Sequence, residues 1–229
     1  MIDFYFWPTP NGHKISIALE EFGLDYTVKP INILKGEQHD PQFIAISPNN
    51  RVPAIIDHEG PGGAAHTVFE SGAILLYLAQ KTGKFWSNDP VEQSLITQWV
   101  FFQCANIGPM FGQCGHFRGY ADEEVPYAIK RYSGEVQRLY GLTDRLLAER
   151  EWVTPGSEFG LADMATYPWM DARQQALHGV DIANFPNVAA WIDKCEARPG
   201  VQAGMAVLKN DMKVGNPSEE TKKAFFNRT

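Results

Sequence analysis

The stretch that most constrains this chain is its opening, where an alternating apolar segment runs through Phe6-Trp-Pro-Thr-Pro-Asn-Gly-His-Lys-Ile15 straight into an amphipathic one. Ile2, Phe4 and Phe6 alternate with Asp3, Tyr5 and Trp7 at the two-residue period of a strand, whereas Ile15, Ala18, Leu19 and Phe22 repeat at helical spacing. The turn between them, Thr9-Pro-Asn-Gly, brings the hydrogen-bonding side chains of Thr9 and Asn11 to a helix start. The N–H groups of a first helical turn have no acceptor within the helix, so they attract negative charge, a thiolate included. Such a turn suits thiol chemistry without a protein cysteine.

With 229 residues, 44% of them apolar, the chain has room for a full core in one large domain or two small ones. Its longest uncharged apolar run, residues 73–79, falls far short of the roughly 20 residues a membrane span needs. The first residues carry no basic region followed by an apolar stretch, so no secretory signal, no membrane partner and a cytoplasmic location are expected. A net charge of −7 argues against nonspecific nucleic-acid binding, which needs a clustered basic surface. Cys104, Cys114 and Cys195 show no metal-ligand spacing, so no metal site is expected and the thiols read as reduced.

Three further strand segments follow at 26–31, 53–57 and 66–69, the last two joined by the turn-rich Glu59-Gly-Pro-Gly-Gly-Ala64 as a hairpin. A helix is predicted over 71–81, which makes residues 1–83 a small mixed sheet packed by helices. Residues 84–90 read as a linker, and 91–229 as an all-helical domain. Its predicted helices cover 91–117 with a bend at Gly108-Pro109, 123–150, 161–178 with Gly179 as its stop, and 187–197. Phe159-Gly-Leu-Ala-Asp163-Met164 reads as a helix start with half a capping box, since Gly160 stands where Ser or Thr would give the reciprocal bond. The tail after Asp211 is polar, charged and expected to pack loosely.

Two other stretches carry chemistry. In Asn50-Arg51-Val52-Pro53-Ala54, proline opens a strand, a position where it breaks no ladder. X-Pro bonds in folded proteins are cis only about 5–6% of the time, so sequence alone favours trans; a cis bond would present the N–H and C=O of Val52 to an antiparallel peptide. At Glu70-Ser71-Gly72, Ser71 reads as the cap of the next helix. The same pair also suits an amino-acid head group, Ser71 and nearby N–H groups taking the carboxylate and Glu70 the ammonium. Lys14, Lys35, Gln38 and Arg51 are candidates for a second carboxylate, although each alone reads as a solvated surface residue. Arg131 and Arg138 read as helix-surface partners of Glu135, with a ligand carboxylate as the other possibility.

Taken together, these pieces resemble a cytosolic glutathione transferase over nearly the whole chain. The stretches Thr9-Pro-Asn-Gly-His-Lys14, Ser47-Pro-Asn-Asn-Arg-Val-Pro-Ala54, Phe69-Glu-Ser-Gly-Ala-Ile-Leu-Leu-Tyr77 and Gly108-Pro-Met-Phe-Gly-Gln113 are similar to the nu-class bacterial branch, the disulfide-bond oxidoreductases, related to the yeast prion-forming nitrogen regulator. The resemblance implies an α/β thioredoxin-like domain over 1–83, an all-α domain over 91–229, a homodimer, and glutathione as co-substrate, reduced or as its disulfide. Carried over residue by residue, Val52 before Pro53 would pair with the cysteinyl backbone, Glu70 and Ser71 would hold the γ-glutamyl head, Gln38 and Arg51 would approach the glycyl end, and Asn11 and Thr9 would face the sulfur. The chain departs from many transferase classes in having no tyrosine, serine or cysteine at this turn; Tyr5, inside the strand, reads as packing. The implied activity is glutathione-dependent reduction of a small-molecule disulfide or attack on a small electrophile. Thiolytic or conjugating chemistry on aryl electrophiles and a non-enzymatic regulatory or scaffolding role are the alternatives.

Overall fold

The computed structural model describes residues 1–209. Residues 1–82 and 203–209 form one compact unit and residues 83–202 another. The polar tail expected after Asp211 lies outside the described residues.

The alternation at the start of the chain makes β1 (Ile2–Phe6), whose Ile2, Phe4 and Phe6 are buried. Tyr5 faces the other way, its ring 6.0 Å from that of Phe43, the packing role its position in the strand implied. β1 pairs parallel with β2 (Tyr26–Pro30) and antiparallel with β3 (Ala54–Asp57), which pairs antiparallel with β4 (His66–Phe69), so the order is β2-β1-β3-β4. The hairpin between β3 and β4 turns at Gly62 and Gly63, at φ 72° and 77°, where a side chain would be strained.

Between β1 and β2 lies α1 (Pro10–Phe22), which starts with proline at its first position and ends at Gly23 in the left-handed conformation, φ 66°. Residues 31–50, left without elements by the sequence reading, hold two 3₁₀ turns (Ile33–Lys35 and Glu37–His39) and the short α2 (Pro41–Ile44). The signals were present: Asn32 caps the first turn, and Asp40, followed by a proline, accepts the Gln42 N–H at 2.7 Å. After β4 comes α3 (Ser71–Thr82). Asp57, with 1% of its side chain exposed, ties the hairpin to α3 by accepting from Tyr77 Oη at 2.6 Å, Lys81 Nζ at 2.5 Å and the Glu59 N–H at 3.0 Å.

The second unit is helical: α4 (Pro90–Phe102), α5 (Gly108–Gly115), α6 (Pro126–Glu149), α7 (Leu161–Met170), α8 (Ala172–His178) and α9 (Pro186–Glu196). The final described helix, α10 (Pro199–Ala206), was not foreseen; its Gly204 lies against α1, where a Cβ would stand 2.5 Å from the Ile17 backbone. The bend expected at Gly108-Pro109 is a π-helical turn, Gln103–Ile107, with the Gly108 N–H reaching back to the Gln103 carbonyl. That longer step accommodates the missing donor of Pro109 without ending the helix. The helix predicted over 161–178 is two: Asp171 leaves the helical region at ψ 166° and its carboxylate caps α8, accepting the Gln174 N–H at 2.8 Å. Gly179 ends α8 at φ 66°, as its position in the sequence suggested.

Half a box at residue 160 becomes a whole one through the preceding loop. Asp163 is fully buried and accepts from the N–H groups of Val153 (2.7 Å), Thr154 (3.0 Å) and Gly160 (3.0 Å) and from Trp191 Nε1 (2.8 Å). The reciprocal bond that Gly160 cannot make comes from Thr154 Oγ1, which accepts the Ala162 N–H at 3.0 Å. Glycine is needed at 160 because a Cβ would stand 2.7 Å from Thr154 Cγ2. Asp144 of α6 does the same service for α9, accepting the N–H groups of Asn187 and Val188 at 2.8 and 3.1 Å. Among the described residues no helix is long and apolar enough to cross a membrane.

Two outcomes are expected. Asp163→Ala strands four buried donors and should cost at least about 3 kcal/mol, seen as a fall in melting temperature of roughly 6 °C or more. At Asp57, burial pushes the carboxyl up, but Lys81, Tyr77 and the Glu59 N–H together hold it below the usual carboxylate range. A lowered folded value means stability is fully present above the unfolded value, about 3.9, and is lost as pH falls below it. Urea midpoints measured from about pH 5 to about pH 3 should therefore fall less steeply for Asp57→Asn than for the wild type.

Candidate active site

Strand register assembles the site. Tyr5 of β1 pairs with Ala54, and Ala54 pairs with Phe69 of β4. The antiparallel run therefore sets Phe6 and Trp7, leaving β1, beside Pro53 and Val52, which lead into β3. Glu70 and Ser71, leaving β4, fall across from the same pair. Three segments far apart in sequence thus end at one edge of one sheet.

Thr9 caps α1: its Oγ1 accepts the Gly12 N–H at 3.2 Å while its carbonyl accepts the His13 N–H at 2.9 Å. A hydroxyl that accepts still has its own proton to donate. Asn11, half-buried, stands at the second helical position. The turn is tight, with the Thr9 N–H on the Trp7 carbonyl at 2.7 Å. Gly12 is what permits it, because a Cβ there would meet the Trp7 carbonyl oxygen at 2.3 Å and the Phe6 ring at 2.7 Å.

The Val52–Pro53 peptide bond is cis, against the sequence preference for trans. Val52 precedes the first ladder pair of β3, so the pairing of the sheet does not include it. Ahead of it, Ser47 clamps the backbone of Arg51, its Oγ donating to the Arg51 carbonyl at 2.8 Å and lying 3.4 Å from the Arg51 N–H. Ser47 is buried, and the sequence reading missed it. Its signal was a small hydroxyl residue just before the turn Pro48-Asn-Asn50. The Arg51 side chain is exposed; Gln38 is buried on the 3₁₀ turn and linked through His39, which lies 3.5 Å from the Gln38 amide and 3.3 Å from that of Asn50.

Glu70 adopts φ 70°, a left-handed conformation that non-glycine residues hold at a cost of about 1–3 kcal/mol and that concentrates at functional sites. Its carbonyl accepts the first helical bond, from Ile74, so Glu70 occupies the cap position of α3 and Ser71 is the first helical residue rather than the cap. Ser71 Oγ instead accepts from Lys14 Nζ at 3.2 Å. Lys14, read from the sequence as solvated, is 1% exposed. Lys35 remains on the surface. In the helical unit, Arg138 forms a fork with Glu135 at 2.6 and 3.0 Å, the ion pair expected of it, and Arg131 flanks the same carboxylate.

The comparisons with known proteins agree with this geometry. Residues 1–80 match the glutathione S-transferase N-terminal domain family and residues 114–199 the glutathione S-transferase C-terminal domain family. The disulfide-bond oxidoreductase YfcG of Escherichia coli K12 is 46% identical over 212 residues, spanning 91% of this chain and 95% of that protein. The transcriptional regulator URE2 of Saccharomyces cerevisiae is 34% identical over 84% of this chain, which spans 64% of its length. Among solved structures, a glutathione transferase from Burkholderia graminis with two glutathione molecules bound per subunit superposes with a TM-score of 0.87 at 42% identity, covering 91% of this chain and 88% of that one. Another, from Pseudomonas putida with one glutathione disulfide bound per subunit, gives 0.85 at 41% identity, covering 90% and 91%. The chain belongs to the glutathione S-transferase family, with its fold of a thioredoxin-like four-stranded domain followed by a helical one.

Gly12→Ala, by forcing the turn before α1 apart, should lower the melting temperature by several degrees, on the scale of about 1–3 kcal/mol for overpacking. A thermal melt of the single variant checks it.

Proposed function

We propose that this protein is a glutathione-dependent disulfide-bond reductase in which the attacking sulfur belongs to bound glutathione. One observation carries the reading: Thr9 and Asn11, Val52-Pro53, and Glu70-Ser71 converge on one sheet edge in a segment, residues 1–82, that contains no cysteine. A site built for a thiol peptide but lacking a thiol must receive one. The name of the Escherichia coli relative and the ligands of the Burkholderia and Pseudomonas transferases support the same reading.

In this reading Val52 offers its backbone to the cysteinyl residue, Glu70 and Ser71 hold the γ-glutamyl head, and Gln38 and Arg51 serve the glycyl carboxylate. Thr9 donates its hydroxyl proton, and Asn11 its amide, to the sulfur at the positive end of α1. Free thiols of this type ionise near 8.5, so donors to the anion raise the thiolate fraction at neutral pH. The glutathione thiolate attacks one sulfur of a small-molecule disulfide, forming a new S–S bond while the old one breaks and its second sulfur leaves as a thiolate that takes up a proton. A second glutathione thiolate attacks the mixed disulfide. Two glutathione molecules are oxidised to glutathione disulfide and one substrate disulfide is reduced to two thiols.

Residues 1–83 would be the glutathione-binding domain, 84–90 the linker and 91–229 the helical domain. A homodimer in the cytoplasm fits two further facts. Val91 and Phe101 of α4 are 67% and 61% exposed, apolar surface suited to a second copy. The three cysteines are free, as thiols stay in a reducing compartment.

Thr9→Ala/Asn11→Ala should lower glutathione-dependent reduction of 2-hydroxyethyl disulfide by roughly tenfold or more, the scale of removing donors from a developing anion. Unchanged rates would remove these residues from the mechanism. Rates on 1-chloro-2,4-dinitrobenzene above those on the disulfide would favour conjugation, and no rate on either would favour a scaffold.

A further inference from the structure

Lys14 is the strangest residue in the first unit. It is 1% exposed, among the largest fully buried side chains of the protein, although it carries an ammonium group. Buried charge is costly unless another group answers it. Its Nζ donates to Ser71 Oγ at 3.2 Å, across the packing of α1 on α3.

The direction of that bond matters. A serine hydroxyl has one proton and two lone pairs. With a lone pair taken by an ammonium that can only donate, Ser71 turns its proton toward an acceptor, and an acceptor with negative charge is favoured. Ser71 is the first residue of α3, where unpaired N–H groups already create positive potential. A cation behind that helix end is repelled by it, so the whole arrangement, hydroxyl, helix start and buried ammonium, is electrostatically satisfied when an anion lies in front. Glu70, held at φ 70° beside them, supplies the opposite charge for a zwitterion.

We propose that Lys14 is a positioning residue for the amino-acid end of the ligand. From behind Ser71 it orients the hydroxyl and supplies the charge that selects an α-carboxylate, without touching the ligand. The proposal rests on the reading above that a γ-glutamyl head lies at Glu70-Ser71, and it assigns specificity at that end to a residue on α1.

The test is calorimetric titration of the full chain with two probes: glutathione, and its analogue lacking the α-carboxylate, 4-aminobutyryl-cysteinylglycine. Lys14→Met should bind glutathione about tenfold or more weakly, and the analogue less than about twofold more weakly. Lys14→Arg should recover part of the loss. Because Lys14 acts through Ser71, Lys14→Met/Ser71→Ala should bind glutathione about as the weaker single variant does, not as the product of the two losses. In disulfide-reduction assays the loss should appear in KM for glutathione, with kcat at saturation within about threefold. Lys14→Met binding glutathione like the wild type, or losing both probes equally, would overturn the assignment. Should circular dichroism show Lys14→Met unfolded, Lys14→Gln, which keeps a donor but no charge, takes its place: selective loss of glutathione supports the assignment, and equal or absent losses overturn it. Wild type that binds neither probe would overturn the γ-glutamyl reading itself, whereas wild type that binds glutathione, with variants that do not discriminate, would overturn only the role of Lys14.

Discussion

Everything at the candidate site depends on the pairing of Tyr5 with Ala54 and of Ala54 with Phe69. A slip of one residue in either ladder would turn buried Ile55 outward and carry Pro53 away from Glu70. The buried faces of β1 and β3 forbid it, since Phe4, Phe6 and Ile55 are all fully covered. Hydrophobic register is therefore what places polar chemistry: the core sets the strands, and the strand ends present Thr9, Val52 and Ser71 as a group.

Around that edge the molecule satisfies its helix ends with donors and acceptors borrowed from elsewhere in the chain. Thr9 caps α1 locally, but Thr154 and Asp163 close the start of α7 from a loop, and Asp144 reaches from α6 to the start of α9. α3 is the exception. Its first residue gives its hydroxyl to Lys14 rather than to its own helix, and its cap position is held in a left-handed conformation. Helix starts that serve stability are fully answered within the protein, and the one that departs from this pattern lies at the convergence of the site residues.

Much of this was legible beforehand. The two-residue alternation of β1, the glycine-rich hairpin, the proline before β3 and the stop at Gly179 are local signals, and each stands where the sequence put it. Misreadings came where a local signal had two outcomes. Ser71 looked like a cap because serine usually is one, yet the left-handed Glu70 moved the cap back by a residue. Lys14 looked solvated because lysine usually is, and nothing in the helical period announces a neighbour fifty-seven residues away. The helix over 161–178 looked continuous because its apolar spacing carries through Asp171, which instead breaks it and caps the second half.

By itself the sequence determined the elements, their apolar faces and the residue types at each turn, because backbone sterics, side-chain period and capping chemistry act over a few residues. The half-filled capping box, the isomer before Pro53, the burial of Lys14 and the meeting of three strand ends belong to the tertiary structure. Each depends on an atom supplied from a distant segment, and only the packed core brings such atoms within hydrogen-bonding reach.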